Sequence, residues 1–220
     1  MKNFIWLICI FGIGIVCSQK RVYTVDLEVR NNLIPLVNKA KSLIVKNEFE
    51  EAIGILVMVN KSDSVLADVY HDIYKAAVLS KNTSDSVLNC LKTGKRIYAE
   101  DAEITYFNAE IIRLRKNFAY AIELYTEAIN QSVSEVEKSL YYPEFFKNRA
   151  YSYSKLQNYI AAQKDYSEYL QYNKSDAAIY MNRAICYLNS DNKKLALEDF
   201  KKSFELGNMN AQLYIDKLSK

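Results

Sequence analysis

Residues 146–179 read FKNRAYSYSKLQNYIAAQKDYSEYLQYNKSDAAI, and residues 180–204 continue as YMNRAICYLNSDNKKLALEDFKKSF. Six positions of the first segment recur in the second at a constant offset, with the same or a similar side chain. The pairs are Phe146/Tyr180, Arg149/Arg183, Ala150/Ala184, Tyr153/Tyr187, Ala162/Ala196 and Tyr166/Phe200. Agreement at six positions with a single offset identifies an internal repeat, and a period of this length is typical of stacked supersecondary units.

Each repeat is predicted to form two antiparallel helices. Tyr180, Ala184 and Tyr187 are spaced i, i+4 and i+7, which places them on one face of a helix. The Asn- and Asp-rich residues 189–192 predict a turn, and Ala196 belongs to the helix that follows. Small residues at 184 and 196 allow the two helix backbones to approach closely. The repeat is therefore predicted to be a helical hairpin with an aromatic core.

The pattern of an aromatic residue, a small residue, a second aromatic, an alanine and a third aromatic resembles the tetratricopeptide repeat (TPR). This resemblance implies an all-α fold, namely a right-handed α-solenoid of about five TPR helix pairs plus a C-terminal capping helix. It also implies that side chains of the first helices line a concave face that binds a partner protein. Only five glycines and two prolines occur in the chain, which fits a helical protein.

The second-helix alanine sets the register of the remaining repeats. Its predicted positions are Ala52, Ser86, Ala121, Ala162 and Ala196. Successive intervals are nearly constant, except for a longer one between Ala121 and Ala162. The predicted boundaries are a signal peptide at 1–18, an N-terminal arm at 19–32 and a TPR solenoid at 33–220. Within the solenoid the repeats are predicted at 33–64, 65–99, 100–131, 132–176 with an insertion, and 177–208, with a cap at 209–220.

The second and fourth repeats depart from the pattern. The second repeat has Tyr74 where the small first-helix residue belongs, followed by Ser86 and Cys90 in its second helix. The longer interval before the fourth repeat falls in residues 131–142. The spacing of Ser134 to Glu137 is that of a capping box, which predicts a lengthened first helix that is bent or broken at Pro143.

The first eighteen residues predict export. Lys2 is followed by an uncharged apolar run at 4–16, which is shorter than a membrane span and typical of a secretory signal peptide. Cleavage after Ser18 would leave Gln19 as the first residue. Two alternatives remain open: a lipid attached to Cys17 after cleavage before it, or an uncleaved anchor. The sequence thus predicts a periplasmic or cell-envelope protein, with residues 19–32 as an extended or flexible arm.

Charge and composition exclude several function classes. The formal net charge is only +3, so the sequence predicts neither a nucleic-acid-binding surface nor a basic membrane patch. His71 is the single histidine, and the glycines are isolated, so no cofactor, metal site or phosphate loop is predicted. Cys90 and Cys186 lie three repeats apart and are predicted to be buried thiols without a disulfide.

The predicted function is a non-enzymatic protein–protein interaction scaffold that binds a partner peptide or helix in the TPR groove. The resemblance places ten side chains on the concave face, five from the second and third repeats and five from the last two. They are His71, Lys75, Tyr106, Glu110, Arg113, Lys147, Tyr151, Lys155, Met181 and Ile185. The same frame adds Asp68 and Val78 in the second repeat and the apolar Ile34, Val37, Ile44 and Val45 in the first.

Two other functions are consistent with the sequence. The first is a lipid-anchored TPR subunit of an outer-membrane or pilus assembly complex, which an acylated Cys17 would distinguish. The second is an enzyme hidden in a helical repeat, for which Glu103 and Glu110 are the only pair of acids placed on one groove face. The oligomeric state does not follow from the sequence.

Overall fold

The computed structural model describes residues 7–10, 13–18, 21–133 and 139–219, with side chains described from residue 23 onward. The chain divides into two compact units. The first unit is Met1–Lys116 with Asn130–Glu137, and the second unit is Asn117–Ile129 with Lys138–Lys220.

Three short strands precede the helices in the first unit. β1 (Leu7–Ile10), β2 (Ile13–Ser18) and β3 (Arg21–Asp26) form an antiparallel sheet in the order β1-β2-β3. The register places Ile13 opposite Asp26 and Ser18 opposite Arg21. The first two strands differ from the prediction, because the sequence of residues 1–18 is typical of a signal peptide. An extended segment is predicted only for the third strand.

Eleven helices follow within the described residues. They are α1 (Leu27–Val45), α2 (Phe49–Ser62), α3 (Ala67–Ser80), α4 (Asp85–Ile97), α5 (Ala102–Leu114), α6 (Phe118–Ser132), α7 (Tyr142–Lys155), α8 (Tyr159–Tyr172), α9 (Ala177–Asn189), α10 (Lys193–Glu205) and α11 (Ala211–Leu218). The odd-numbered helices from α1 to α9 are the first helices of the predicted pairs, and α11 corresponds to the predicted cap.

The first helix begins earlier than the sequence indicated. Residues 27–32, predicted as part of the arm, form the opening turns of α1. The Asp26 carboxylate accepts hydrogen bonds from the backbone N–H groups of Glu28 and Val29, at 2.9 and 3.1 Å. This N-cap satisfies donors that the first turn would otherwise leave without a partner. Pro35 therefore lies inside the helix, whereas a start near residue 33 would place it in the first turn.

The turn inside every helix pair shares one backbone feature. It contains one residue with a left-handed φ, between 57° and 64°. These residues are Asn47, Lys81, Lys116, Gln157 and Asp191. The intervals between them match, one by one, the intervals that the sequence analysis obtained from the second helices. The repeat period is thus visible in the backbone as well as in the side chains.

The second helices share a buried stripe at i, i+4 and i+7. In α2, α6, α8 and α10 the stripe begins at the predicted Ala52, Ala121, Ala162 and Ala196, each 0% exposed. In α4 it begins at Val87 (0% exposed), whereas the predicted Ser86 is exposed. Ser86 keeps the interval that the turn residues show, but the prediction that it begins the buried stripe of α4 is wrong by one residue. Ser86 was chosen because its side chain is small. The buried stripe of a helix is instead defined by the positions that neighbouring helices cover.

The second repeat keeps its aromatic residue at the small position. Tyr74 is 8% exposed, and its ring stacks on Phe107 of α5 at a centroid distance of 4.2 Å and an interplanar angle of 12°. Tyr74 therefore packs against the first helix of the next pair. The space that alanine leaves for a helix backbone in the other repeats is filled here by an aromatic contact.

The insertion before the fourth pair does not lengthen α7 as predicted. The helix begins at Tyr142, so Pro143 lies in its first turn and does not bend or break it. Proline is well tolerated there because its missing N–H would have no helical partner. The capping-box residues 134–137 lie outside the described residues.

Cys90 and Cys186 are buried and free of disulfides, as predicted. Burial raises the pKa of the Cys186 thiol to about 11, so it stays protonated and unreactive at neutral pH. Within the described part of the chain, no helix combines the length and the apolar character needed to cross a membrane.

Candidate protein-binding surfaces

A cavity of about 330 Å³ lies in the first unit between α1 and the start of α3. Ile34 and Val37 of α1 and Leu66 and Val69 at the start of α3 form apolar walls. Ile34 is 47% exposed, so the cavity is open to solvent. Its volume is at the lower end of the range for ligand pockets, so it has room for a few side chains of a bound partner.

Charged side chains stand at the rim of this cavity. Arg30 and Lys41 line it from two levels of α1, and Asp68 lines it from the first turn of α3. Arg30 Nε donates to Asp63 Oδ2 at 2.6 Å, and Lys41 Nζ lies 3.7 Å from Asp72 Oδ2. The two cations are therefore already compensated by carboxylates of the same unit.

Two predicted groove residues of α3 are accessible. The His71 side chain is 45% exposed, its Nδ1 lies 3.8 Å from Asp72 Oδ1, and its ring meets Phe107 edge-on at 5.8 Å. Lys75 is exposed one turn further along. Asp68, His71 and Lys75 are spaced i, i+3 and i+7, so they share one face of α3.

The predicted groove residues of α5 are covered. Tyr106 is 2% exposed, with its hydroxyl 3.3 Å from the Tyr74 hydroxyl. Glu110 is 3% exposed and accepts two hydrogen bonds from Arg113, at 3.1 and 2.8 Å. Tyr106 and Glu110 therefore do not present the solvent-accessible surface that a groove position requires. Glu110, one acid of the candidate enzymatic pair, is engaged by a guanidinium.

In the second unit, three predicted residues of α7 are partly or fully exposed. Lys147 forms an ion pair with Glu144 one turn earlier, and its Nζ lies 5.2 Å from the centroid of the Tyr169 ring. Tyr151 is half-buried, with Phe118 edge-on at 6.1 Å and Lys155 Nζ at 5.0 Å from its ring centroid. The structure thus places an aromatic ring between two lysines on one helix face.

The predicted residues of α9 are partly core. Met181 and Ile185 are half-buried and pack against the cluster formed by Ala184, Ala196, Phe200 and Ala211. Met181 and Ile185 were predicted to form an apolar end of the groove. They also pack against the second helix of the pair, α10, and against the cap, α11. A partner could contact only the part of each side chain that remains accessible.

The second unit contains a repeated ion-pair network. Arg149 binds Asp165 through Nε and Nη2 at 2.6 and 2.8 Å, while its Nη1 donates to Thr126 Oγ1 at 3.0 Å. One repeat later, Arg183 binds Asp199 at 2.7 and 2.8 Å and donates to Ser167 at 2.9 Å. Each arginine therefore joins its own second helix to the second helix of the preceding pair.

Aromatic rings flank both guanidinium groups. Arg149 lies 5.8 and 5.9 Å from the ring centroids of Phe146 and Tyr153, and Arg183 lies 5.4 and 5.8 Å from Tyr180 and Tyr187. Burial alone lowers the pKa of Arg149, but the hydrogen bonds and charge of Asp165 raise it overall. The aromatic–arginine–aromatic pattern that recurs in the sequence therefore serves to join helices and does not form a ligand site.

Arg30 and Lys41 line the cavity but are not among the binding residues that the sequence predicts. Arg30 precedes residue 33, the predicted start of the first helix, and no pattern in the sequence assigns a role to Lys41. Asp26 followed by Glu28 is a typical N-cap with an acidic first turn. This pattern would have predicted a helix that begins at residue 27 and contains Arg30.

Several solved structures resemble this chain. YrrB, described as a TPR protein with an unusual peptide-binding site, matches with a TM-score of 0.66 and 17% identity over 86% of this chain and 94% of that chain. A MamA protein matches with a TM-score of 0.68 and 17% identity over 82% of this chain and 94% of that one. A chain of the APC/C hetero-tetramer Cut9–Hcn1 matches with a TM-score of 0.67 and 16% identity, over 84% of this chain and 36% of that chain.

No family model and no curated protein sequence matches the chain. At such low identity, the structural likeness establishes a shared fold. The predicted fold class is confirmed by this likeness together with the helices described above: the chain has a TPR-like repeat arrangement of helix pairs.

Proposed function

We propose that this chain is a non-enzymatic scaffold that binds an extended peptide or a helix of a partner protein through its first helices. The observation that carries the proposal is the open cavity between α1 and the start of α3, which has apolar walls and charged side chains at its rim. Ile34, on its α1 wall, is 47% exposed. Exposed apolar side chains with a polar rim are typical of protein-binding surfaces.

The fold comparison supports the same function. YrrB shares the helical repeat arrangement and is described as having a peptide-binding site. In this chain, the half-buried Tyr151 lies between Lys147 and Lys155 on one face of α7, and tyrosine is a residue type enriched among the anchors of protein interfaces. The partner is thus a protein segment, and the scaffold has no need of a cofactor or a nucleic acid.

The first test is a pull-down in which the α7 surface is altered. Replacing Lys147→Glu together with Tyr151→Glu reverses one charge and removes one aromatic ring. The double variant is expected to lose at least about tenfold in partner binding, because truncated interface anchors commonly cost this much or more. Recovery of the partner from a cell-envelope extract by C-terminally tagged chain, quantified by mass spectrometry, measures the loss.

A matched control makes the same two changes on second helices, at Tyr120 and Lys164, which are both exposed. Both double variants must keep the helical circular dichroism of the unaltered chain. A partner that is lost only with the α7 variant supports the assignment. If both variants recover the same proteins in the same amounts, α7 is not part of the binding surface.

We further propose that the chain is exported to the cell envelope, with cleavage after Ser18. The proposal is supported by the short apolar run behind Lys2 in the sequence. Cleavage there would remove β1 and β2, the strands on one side of β3, and leave α1 and its Asp26 cap intact.

Intact-mass measurement of the chain purified from its producing cell tests this proposal. A first residue at Gln19 is the expected result. An acylated first residue at Cys17 would instead support the lipid-anchored subunit of an outer-membrane or pilus assembly complex. A chain that retains Met1 and remains in the cytoplasmic fraction would contradict export.

A further inference from the structure

Two tyrosine rings of the second unit meet nearly at right angles, where the first residue of α7 packs beside the last residue of α8. The ring centroids of Tyr142 and Tyr172 are 5.9 Å apart, and the ring planes cross at 83°. Phe146 holds the Tyr142 ring edge-on at 5.3 Å from the protein side. Tyr142 is half-buried and Tyr172 is 55% exposed, so part of this Tyr142/Tyr172 corner faces solvent.

A carboxylate lies beside the Tyr142/Tyr172 corner. Glu168 precedes Tyr172 by four residues in α8, which places both side chains on one face of the helix. Glu168 Oε2 accepts a hydrogen bond from Gln171 Nε2 at 3.1 Å, and no lysine or arginine that the structure describes forms an ion pair with this carboxylate. Burial raises the pKa of the Tyr142 phenol, and Tyr172 and Glu168 raise it further because both are close enough to repel a phenolate.

The neighbouring ring of α8 shows which group such an arrangement binds. Lys147 Nζ lies 5.2 Å from the centroid of the Tyr169 ring and forms an ion pair with Glu144. At that ring the chain itself supplies the ring, the carboxylate and the cation. Tyr172 and Glu168 offer the same ring and carboxylate, but no cation from the described part of the chain lies over the Tyr172 ring. The faces of aromatic rings and carboxylates both attract cations, so the chemistry of this corner favours a cationic ligand.

The lysines nearest in sequence do not satisfy the Tyr142/Tyr172 corner. Lys164 and Lys174 are exposed, and neither forms an ion pair with an acid that the structure describes. A guanidinium suits the corner better than an ammonium group, because its plane can stack on a ring while its edge donates two hydrogen bonds to a carboxylate. The ligand that fits the ring of Tyr172 and the carboxylate of Glu168 together is therefore an arginine side chain.

We propose that the Tyr142/Tyr172 corner binds an arginine side chain of a partner protein. The guanidinium stacks on the Tyr172 ring and donates hydrogen bonds to Glu168, so it neutralises that carboxylate. The inference rests on the proposed scaffold function and adds to it a binding site separate from the predicted groove residues, with one ligand chemistry.

The first test uses short peptides and NMR of the tyrosine ring signals in the full chain. The probe is the pentapeptide Ala-Ser-Arg-Ser-Ala with an acetylated amino end and an amidated carboxyl end. Saturable shifts of the Tyr142 and Tyr172 ring signals are expected. The same peptide with citrulline, which keeps the shape of arginine without its charge, is expected to bind at least about fivefold more weakly. No shifts, equal binding of the citrulline peptide, or tighter binding of a peptide with lysine in place of arginine would overturn the inference.

Matched substitutions locate the site. Tyr172→Leu removes the exposed ring and Glu168→Gln removes the charge, and each is expected to weaken binding of the arginine peptide at least about threefold. The controls make the same changes elsewhere in the second unit, as Tyr120→Leu, where the residue is 41% exposed, and Glu205→Gln, where the side chain is 63% exposed. Both controls should leave the affinity unchanged. Equal losses in the controls and in the two site variants would overturn the assignment to this corner.

Partner recovery distinguishes failure of this inference from failure of the scaffold proposal. A chain that carries Tyr172→Leu together with Glu168→Gln, and keeps its helical circular dichroism, is expected to recover less of the partner than the unaltered chain does. Undiminished recovery would overturn the inference and leave the scaffold function to the test on α7. Failure of the scaffold proposal has a different result, because the unaltered chain would then recover no partner at all, whichever peptide it binds.

Discussion

Replacing Asp165 with alanine is expected to lower the free energy of unfolding of the second unit by about 3–5 kcal/mol. The substitution leaves the Arg149 guanidinium, whose side chain is 15% exposed, without its bidentate carboxylate. An uncompensated charge in a largely buried position costs more than the ion pair itself contributes. Urea unfolding followed by far-ultraviolet circular dichroism measures the change.

Two controls distinguish the effect of leaving a buried charge unpaired from the effect of removing an acidic side chain. Glu205→Ala breaks the ion pair with Lys202, in which the Lys202 side chain is 46% exposed and the Glu205 side chain 63% exposed. It should lower the free energy of unfolding by less than about 1 kcal/mol. Replacing both partners, Asp165→Leu with Arg149→Met, should recover most of the lost stability because no charge stays buried. If Asp165→Ala costs no more than Glu205→Ala, the network does not stabilise the repeat.

The equivalent change at Asp199 should have a similar effect, since Arg183 repeats the same geometry with Ser167 in place of Thr126. The sequence shows both arginines at the repeat period. It gives no indication that a hydroxyl from the preceding second helix completes each network, because that contact joins residues 16 to 23 positions apart.

Gly94→Ala and Gly54→Ala are expected to change stability in opposite directions. Gly94 lies in the buried stripe of α4, and a Cβ there would be 2.8 Å from Cδ1 and Cε1 of the Tyr70 ring. The Tyr70 side chain is 0% exposed and its hydroxyl donates to the Ser64 carbonyl at 2.6 Å, so the ring has little freedom to move. Such overpacking typically costs about 1–3 kcal/mol.

Gly54 provides the matched control on α2, because a Cβ there meets nothing within 4 Å. Alanine at this exposed helical position should stabilise the chain by about 0.4–1 kcal/mol, since glycine loses more backbone entropy on folding. Thermal or urea unfolding of the two variants side by side measures both effects. A stabilising Gly94→Ala would show that Tyr70 repacks easily and that the helix contact is loose.

Tyr70 explains why the second repeat does not match the residue pattern of the other repeats. Position 94 corresponds to Val59, Ala128, Tyr169 and Ser203 in the other buried stripes, so no single residue type marks it. The size of that residue depends on what the facing first helix supplies. Where the first helix brings an aromatic ring into the gap, as Tyr70 does, only glycine fits.

The sequence alone determined the repeat period, the number of helix pairs and most of the second-helix anchors. These features follow from recurrence at a constant interval and from i, i+4 and i+7 spacing, which are local properties that a chain displays before it folds. The left-handed turn residues repeat at the same intervals, so local geometry and side-chain pattern agree.

The tertiary structure decided where the first helix begins, which groove positions are covered and where a cavity opens. Arg30 bonds to Asp63, 33 residues away, and this contact connects the early turns of α1 to the end of α2. Tyr106 and Glu110 occupy positions equivalent to His71 and Lys75 of α3, which are accessible, yet they are 2% and 3% exposed. Helical periodicity specifies which residues share a face, but coverage of that face depends on side chains distant in sequence, and those contacts exist only in the folded chain.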